Sequence, residues 1–177
     1  MSVQWEGYEP YHPLFPVPSN ELSRKDARAE FDQLIGNKQV RIEALGQLLR
    51  LNGVRLGKDD GSLQEINAWV DANAELEPDN DDRLRSIWYA VTNDVALFLG
   101  EIIIERFPNL HWELFVWGAR DVSYHRPVLM GFTKAQNPKY NIDIAQAVAV
   151  HLVRVANGLE ADEHFFVQLV NSMARFA

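Results

Sequence analysis

Apolar residues recur at helical spacing between positions 84 and 103, and this stripe restricts the fold more than any other feature. The stripe contains Leu84, Ile87, Trp88, Val91, Val95, Phe98, Leu99, Ile102 and Ile103. An apolar face this wide has to be covered by other elements, so the helix that carries it lies inside the core. Pro108 prevents its continuation. The sequence therefore predicts a central helix from about Asp82 to Phe107.

Helices are also predicted before and after this central helix. The predicted boundaries are a start at Ser23, a break at Gly36-Asn37, a stop at Asn52-Gly53, a start at Ser62, a start at Asn141 or Asp143, a stop at Asn157-Gly158 and a start at Asp162. The start at Ser62 rests on a capping box, in which Ser62 and Glu65 each bond a free backbone amide. The predicted core consists of Phe31, Leu45, Trp69, Trp88, Val95, Leu99, Ile102, Leu114, Val148, Leu152 and Phe166.

The stretch 108–132 carries a group of polar side chains between apolar runs. This group comprises His111, Glu113, Asp121, Ser123, Tyr124 and His125. Aromatic and branched residues favour strands over 112–117 and 122–132, with a four-residue turn at 118–121. We therefore predict an antiparallel hairpin.

The preferred register of this hairpin places Phe115 opposite Tyr124. A two-residue turn, which shifts every pair by two positions, stays an alternative. In the preferred register His111 and His125 lie on opposite faces and share no metal. Ser123 has only His125 on its own face, two residues along the strand, and that arrangement does not build a triad. No catalytic and no metal-binding residue is therefore assigned.

The order of elements, with helices on both sides of a β hairpin, indicates an α+β fold. A chain of 177 residues is long enough to bury a sizeable core in one domain. It contains no cysteine, so neither a disulfide nor a thiolate zinc site is expected. We predict a single α+β domain over residues 23–177, with helices flanking a small antiparallel sheet or hairpin.

Residues 1–22 have a different composition, and we call them the N-terminal arm. Aromatic residues alternate there with prolines: Trp5, Tyr8, Pro10, Tyr11, Pro13, Phe15, Pro16 and Pro18. Prolines at this density favour an extended path, and the aromatic rings favour contact with apolar surface. The preferred interpretation is that the arm wraps its own domain. Docking on a second chain, as in a homo-oligomer, stays open.

The net charge of −8 is concentrated between Asp59 and Asp82. Nine of the 25 acidic residues lie there without any Lys or Arg, while the other 16 are balanced by 17 basic residues. Nucleic-acid binding is not expected, because it needs a basic face. A basic protein is the predicted partner, since complementary charge speeds association; a merely solvated acidic connection is the alternative. The predicted partner-binding residues are Asp59, Asp60, Glu75, Glu77, Asp79, Asp81 and Asp82.

Other acidic groups match metal sites only in part. Asp94, Glu101 and Glu105 share one flank of the central helix, but the E-x-x-H partners of di-iron bundles are missing, so a solvated flank is favoured. Residues 79–82 resemble the start of an EF-hand loop without its glycine or closing glutamate. His151 is predicted to be a hydrogen-bonded histidine at the edge of the core. No metal and no cofactor is predicted.

The N-terminus has no basic region followed by an apolar run, so no signal peptide is expected. No uninterrupted apolar stretch approaches the roughly 18 residues of a membrane span. The absence of cysteine also fits a reducing compartment. These features predict a cytoplasmic protein without a membrane partner.

The segment "WYAVTND", continuing to "FLGE" at 98–101 and to the Trp112 hairpin and the "GF" at 131–132, resembles a group of small uncharacterised bacterial proteins. Those proteins have a "W…ND…LGE" helix that leads into a tryptophan-bearing hairpin. The resemblance covers residues 84–132 and implies a bacterial source and this helix-hairpin order. It implies no activity and no role for any residue.

Three functions stay open. The first is a non-catalytic protein-binding module, for example an immunity or antitoxin-type protein whose acidic surface meets a basic partner. The second is an enzyme with a carboxylate or histidine site between the central helix and the hairpin. The third is a structural or oligomeric component that uses the arm. The run of nine acids favours the first, and the lack of a catalytic motif disfavours the second.

Overall fold

The computed structural model describes residues 2–177, which contain six α-helices and two antiparallel two-stranded sheets. In chain order the elements are α1 (Arg24–Gly36), α2 (Lys38–Leu51), α3 (Asp60–Asn73), β1 (Leu76–Glu77), β2 (Asn80–Leu84), α4 (Ser86–Arg106), β3 (His111–Leu114), β4 (Pro127–Met130), α5 (Ile144–Ala156) and α6 (Phe165–Ser172). Short 3-10 helices lie at Ser19–Glu21 and Met173–Arg175. The predicted single α+β domain is confirmed.

The predicted central helix is α4, which packs against α2, α5 and α6. It begins four residues later than expected, because Asp82 and Leu84 belong to β2. By length and mean hydropathy α4 is apolar enough to cross a membrane, and 72% of its most apolar window is buried inside the domain. A buried core helix meets the same criterion. All eleven residues of the predicted core are buried.

The helix ends follow local capping chemistry. The Ser23 side chain accepts a hydrogen bond from the Asp26 amide at the start of α1, as predicted. Of the two predicted starts for α5, Asp143 is correct, because its side chain accepts from the Gln146 amide. The helix then ends at the Asn157 C-cap, followed by Gly158 with a φ of 68°, a conformation that glycine adopts readily.

Two predicted helix starts differ from the structure. The capping box at Ser62 is wrong: α3 begins at Asp60 and its N-cap is Asp59, which accepts from the Ser62 amide at 3.0 Å and from its hydroxyl at 2.7 Å. Aspartate is an equally good N-cap, and here it precedes the serine. Asp162 lies two residues before His164, the N-cap of α6, and accepts from the His164 amide at 2.9 Å.

The acidic connection after α3 is a β hairpin and not an unstructured link. β1 and β2 pair antiparallel, with Leu76 opposite Leu84 and Glu77 opposite Asn80. Leu84 is buried, whereas the preceding residues of β2 are exposed. The hairpin is therefore anchored to the core only at its base.

The second hairpin is antiparallel, as predicted, but its strands are short. β3 pairs with β4 so that Leu114 lies opposite Pro127 and Trp112 opposite Leu129. The preferred register is wrong by two residues, and the alternative register is wrong by four. The reason is that residues 116–126 form a loop of successive turns, in which Asp121 accepts from the Ser123 amide at 2.8 Å. Such local bonds compete with a strand ladder.

Candidate functional site

A pocket of about 160 Å³ lies beneath the N-terminal arm. The arm covers it with residues such as Tyr11 and Phe15, and α1 contributes Phe31. The middle of α4, the hairpin of β3 and β4, and the start of α5 provide the remaining walls, including Ala96, Trp112 and Ala145. The pocket therefore joins segments that are far apart in the sequence.

The arm is attached to the core by a buried polar group. The Tyr8 hydroxyl donates to Asp94 Oδ2 at 2.6 Å, and Arg41 Nε donates to Asp94 Oδ1 at 2.8 Å. Arg41 also donates to the Glu9 carbonyl oxygen at 2.8 Å. Trp5 packs edge-on against Trp88 with ring centroids 5.5 Å apart. The arm thus enters the core at Tyr8, which is itself buried.

Burial and the neighbouring groups shift the pKa values of Asp94, Tyr8 and Arg41. Burial raises the pKa of Asp94, although the hydrogen bonds from Arg41 and Tyr8 oppose the shift. Burial also raises the pKa of Tyr8, and the neighbouring Asp94 adds to the increase. The hydrogen bond from Arg41 to Asp94 raises the pKa of the guanidinium. Tyr8 and Arg41 therefore keep their protons at neutral pH.

A second attachment lies beside the pocket itself. Glu30 on α1 accepts from the Tyr11 hydroxyl at 2.6 Å and from the Leu14 amide at 2.7 Å. Burial raises the pKa of Tyr11, and the hydrogen bond to Glu30 adds to the increase. Both oxygens of Glu30 are thus engaged in holding the arm across the pocket.

The hairpin wall is positioned by a close contact with α4. A Cβ atom on Gly100 would lie 2.0 Å from Cζ2 of Trp112, so glycine provides the space for this indole ring. The next residue, Glu101, accepts from Trp112 Nε1 at 3.0 Å and from Lys38 Nζ at 2.9 Å. In the "LGE" segment, Gly100 therefore leaves space for the ring of Trp112, and Glu101 accepts a hydrogen bond from its indole N–H.

His125 is the most unusual residue of the pocket. Its φ is 61°, which makes it the one non-glycine residue in 2–177 with a positive φ. It is 5% exposed, and its ring stacks on Tyr124 with centroids 3.9 Å apart. Both ring nitrogens are buried without a hydrogen-bond partner in the described part of the chain. Such a residue combines backbone strain with unsatisfied polar atoms.

Arg126 lines the pocket next to His125, but its charge is already matched. Its Nε and one terminal nitrogen donate to the two carboxylate oxygens of Asp143, the N-cap of α5. Asn93 on α4 is a further polar residue of the lining. The walls are otherwise mainly apolar, and no carboxylate within residues 2–177 bonds His125. This arrangement suits binding of an organic molecule better than acid-base chemistry.

The predicted partner-binding acids do not form one surface. Asp59 caps α3, Asp60 pairs with Arg106, and Glu75 pairs with Arg85. The α3 helix has 14 residues and is about 20 Å long, so it separates the acids at its start from those beyond its end. Four acids lie beyond the end of α3 on the β1–β2 hairpin: Glu77, Asp79, Asp81 and Asp82.

The predicted carboxylate flank of α4 is also divided. Asp94 is fully buried, so the solvated-flank interpretation is wrong for this residue. Glu101 is half-buried beside Trp112, and Glu105 is exposed and pairs with Lys58. Across residues 2–177 no cluster of three His, Asp or Glu side chains is arranged to hold a metal ion.

The histidines outside the pocket have ordinary surroundings. His151 is buried and its Nε2 lies 2.8 Å from Asp71 Oδ1, so the predicted hydrogen-bonded histidine at the edge of the core is confirmed. His111 is exposed, with its Nε2 3.1 Å from Glu113 Oε2. Neither histidine lines the pocket.

Searches against protein-family models, curated proteins and solved structures found no match.

Proposed function

We propose that this protein binds a small organic molecule in the pocket beneath the N-terminal arm. The observation that carries the proposal is the pocket of about 160 Å³ itself, whose mainly apolar walls come from the arm, α1, α4, the hairpin of β3 and β4, and α5.

The strained backbone of His125, which lines the pocket, supports this proposal. A buried polar group without a partner costs about 1–3 kcal/mol, and a residue held in a sparsely populated backbone conformation costs about as much again. Strain of this kind concentrates at ligand sites, where the surrounding structure maintains it. His125 has both costs, and it lines the pocket beneath the arm.

The arm adds a second line of support. Apolar pockets with a few polar groups are the usual form of small-molecule sites. Here the cover is a proline-rich segment held by discrete hydrogen bonds to Asp94 and Glu30. Such a cover shields part of the pocket from solvent and is held to α4 and α1 by these bonds.

The proposal is tested by blocking the pocket. Ala145 on α5 lines it, whereas Ala149, one turn further along the same helix, does not. Both are half-buried, so Ala145→Leu and Ala149→Leu are matched variants. A screen of small organic compounds by thermal unfolding should find compounds that raise the Tm of the wild type and of Ala149→Leu, because a ligand stabilises the state that binds it.

The same compounds should leave the Tm of Ala145→Leu unchanged, provided that this variant unfolds cooperatively. Compounds that stabilise both variants equally bind elsewhere. A screen of ring-sized compounds in which none stabilises the wild type rejects the proposed function.

A second candidate is the protein-binding module, of which an immunity or antitoxin-type protein is one version. Its support is the β1–β2 hairpin, where Glu77, Asp79, Asp81 and Asp82 form no ion pair within residues 2–177. Unpaired surface acids of one sign attract a basic partner. The recognition surface proposed for such a partner is therefore this hairpin, without the paired acids near the start of α3.

The oligomeric function has less support. Docking on a second chain was expected from the aromatic residues of the arm, and three of these, Trp5, Tyr8 and Tyr11, contact their own chain. We therefore do not extend the proposal to a homo-oligomer held by the arm.

A further inference from the structure

We infer that the ligand of the pocket is an uncharged molecule with one ring and one amide group, and that this amide pairs with the side chain of Asn93. This inference rests on the proposed function, since it names the chemistry of the molecule that the same pocket binds. The free carboxamide of Asn93, the size of the pocket and its charge each restrict that chemistry.

Asn93 lies on the face of α4 that lines the pocket. Ala96 and Leu97, three and four residues further along α4, line the pocket too. Residues at this spacing share one side of a helix, so the side chain of Asn93 is on the pocket side of α4. The next residue, Asp94, faces α2, where it accepts from Arg41 Nε at 2.8 Å.

The carboxamide of Asn93 has no partner within residues 2–177. The three other asparagines inside α-helices, Asn67, Asn73 and Asn171, each form at least one side-chain hydrogen bond. Asn93 forms none, although it is half-buried, and neither its oxygen nor its nitrogen is shielded from solvent. A molecule in the pocket can therefore bond both atoms.

The other polar residues of the lining are less suited to anchor a ligand. The ring nitrogens of His125 are shielded from the pocket by burial. The Tyr11 hydroxyl is already bonded to Glu30. Ser19 on the arm offers one hydroxyl, which can bond a further atom of the same ligand. Asn93 thus presents a donor and an acceptor on two adjacent groups, fixed on the central helix.

An amide is the complement of this side chain. A carboxamide has one oxygen that accepts and one amino group that donates. An amide on the ligand has the same two groups, so two parallel hydrogen bonds form when the amides face each other. Asparagine reads the donor and acceptor edge of adenine in the same bidentate way. A ketone bonds only the amino group, and a hydrocarbon bonds neither.

Size and wall composition limit the ligand to one ring. The volume is about 160 Å³, and an engineered apolar cavity of about 150 Å³ in another protein binds benzene. One ring with one small substituent therefore fits, whereas nucleotides and lipids do not. Phe15, Phe31 and Trp112 line the pocket, and an aromatic ring packs edge-on or offset against such side chains with a gain beyond simple burial.

Charge favours a neutral ligand. Two nitrogens of Arg126 donate to Asp143, so the charge of this guanidinium is already matched. Glu30 is a carboxylate of the lining, and both its oxygens accept bonds from the arm. A carboxylate ligand would add a second negative charge near Glu30 and would donate nothing to the oxygen of Asn93.

The test uses four compounds of nearly equal shape: benzamide, acetophenone, isopropylbenzene and benzoate. Their affinities are measured by NMR titration of the wild type and of Asn93→Leu, because leucine has the branched shape of asparagine without its polar atoms. The substitution should weaken benzamide about tenfold and acetophenone about threefold, each relative to isopropylbenzene, as expected for two hydrogen bonds and for one. Benzoate should bind the wild type more weakly than benzamide does.

The side-chain amide signals of Asn93 give a second measurement, which needs only the wild-type protein. Benzamide should shift these signals, whereas isopropylbenzene should shift them less. The signals of Asn73, which bonds the Trp69 carbonyl oxygen and does not line the pocket, serve as the internal control and should stay unchanged with both compounds.

The outcomes separate this inference from the proposed function. Equal loss of benzamide and isopropylbenzene affinity in Asn93→Leu, with both compounds excluded by Ala145→Leu, would leave the pocket as a ligand site and overturn the amide inference. Benzoate binding more tightly than benzamide, or benzamide leaving the Asn93 signals unshifted, would overturn it too. If none of the four compounds binds while another compound stabilises the wild type but not Ala145→Leu, this inference alone fails. If no ring-sized compound binds, both fail.

Discussion

Asp94 illustrates how a buried charge is maintained in this protein. Its carboxylate is fully buried and is bonded by Arg41 and Tyr8. Removing two charges from water costs several kcal/mol per ion, and the mutual attraction offsets this only with good geometry and further hydrogen bonds. Asp94 has both. The group therefore specifies where the arm attaches, whatever its net contribution to stability.

We expect Asp94→Leu to lower the free energy of unfolding by about 3–5 kcal/mol, because Arg41 is left buried without its counter-ion. The double variant Arg41→Met, Asp94→Leu should recover most of this loss, since the unpaired charge is gone. Urea unfolding of the three proteins measures both values. A double variant no more stable than Asp94→Leu would mean that lost packing, and not the unpaired charge, dominates.

Asp59 makes stability depend on pH. The hydrogen bonds from Ser62 lower the pKa of Asp59 below its ordinary value of 3.8. The charged cap therefore stabilises the fold above about pH 4, and this stabilisation is lost as the pH falls through the lowered pKa. We expect Asp59→Asn, which keeps a capping side chain, to be less stable than the wild type at pH 7.

The stability gap between the wild type and Asp59→Asn should close as the pH is lowered towards 2. Thermal unfolding across that range measures the gap, with Asp32→Asn, an exposed acid on α1, as the control. A gap that does not change with pH would show that the charge of Asp59 has no part in capping.

The contact between α4 and the hairpin of β3 and β4 depends on the absence of one side chain. Gly100 lies on α4 where the ring of Trp112 approaches. The neighbouring Glu101 fixes the indole N–H. This contact determines where β3 runs and therefore where the hairpin wall of the pocket stands.

Gly100→Ala should destabilise the protein by about 1–3 kcal/mol, because the added methyl group overlaps a rigid ring. It should also shift the fluorescence of Trp112 and weaken binding of any pocket ligand. Gly36→Ala is the matched control, since no atom lies within 4 Å of its added Cβ. If both substitutions had the same small effect, the close packing of Gly100 against Trp112 would be refuted.

The helices and the core could be predicted from the sequence, because burial imposes a period of 3.6 residues on apolar side chains. The start of α3 was missed because Asp59 and Ser62 are both good caps and the pattern does not rank them. The hairpin register was missed because the chain turns repeatedly before His125, and few local signals mark a histidine with positive φ. The pocket could not be predicted for a different reason. The arm that covers it and the residues of α4, β3 and α5 that line it are far apart in the sequence.

The negative charge of the folded protein is less concentrated than the sequence indicates. Arg55, Lys58 and Arg106 lie close to the acids at the start of α3 and at the end of α4. The β1–β2 hairpin keeps its acids unpaired. The hairpin, which also carries the exposed Arg83, is therefore the acidic surface that we propose for a basic partner.

Replacing Asp79, Asp81 and Asp82 with Asn should change the free energy of unfolding by no more than about 0.5 kcal/mol, since exposed substitutions have small effects. It should slow association with a basic protein partner isolated by co-purification. The difference in association rate, measured by stopped-flow mixing, should disappear at high salt because added ions screen the attraction.

The control for this triple variant neutralises three exposed acids elsewhere: Glu6, Glu21 and Asp32. It changes the net charge equally. If it slowed association as much, net charge and not the hairpin would be responsible. An association rate that ignored both salt and the hairpin substitutions would reject the acidic recognition surface.

The attachment of Tyr8 to Asp94 also sets an order of events during synthesis. The two residues are 86 positions apart, and a ribosome releases the arm long before it completes α4. Until then Tyr8 and Arg41 lack the carboxylate that joins them, whereas Glu30 on α1 already offers its oxygens to Tyr11 and Leu14. The pocket needs Ala145 as well, so it closes only after the chain has passed α5. The contact of the arm with α1 can thus form early in synthesis, whereas its contact with α4 and the complete pocket form only after most of the chain has been made.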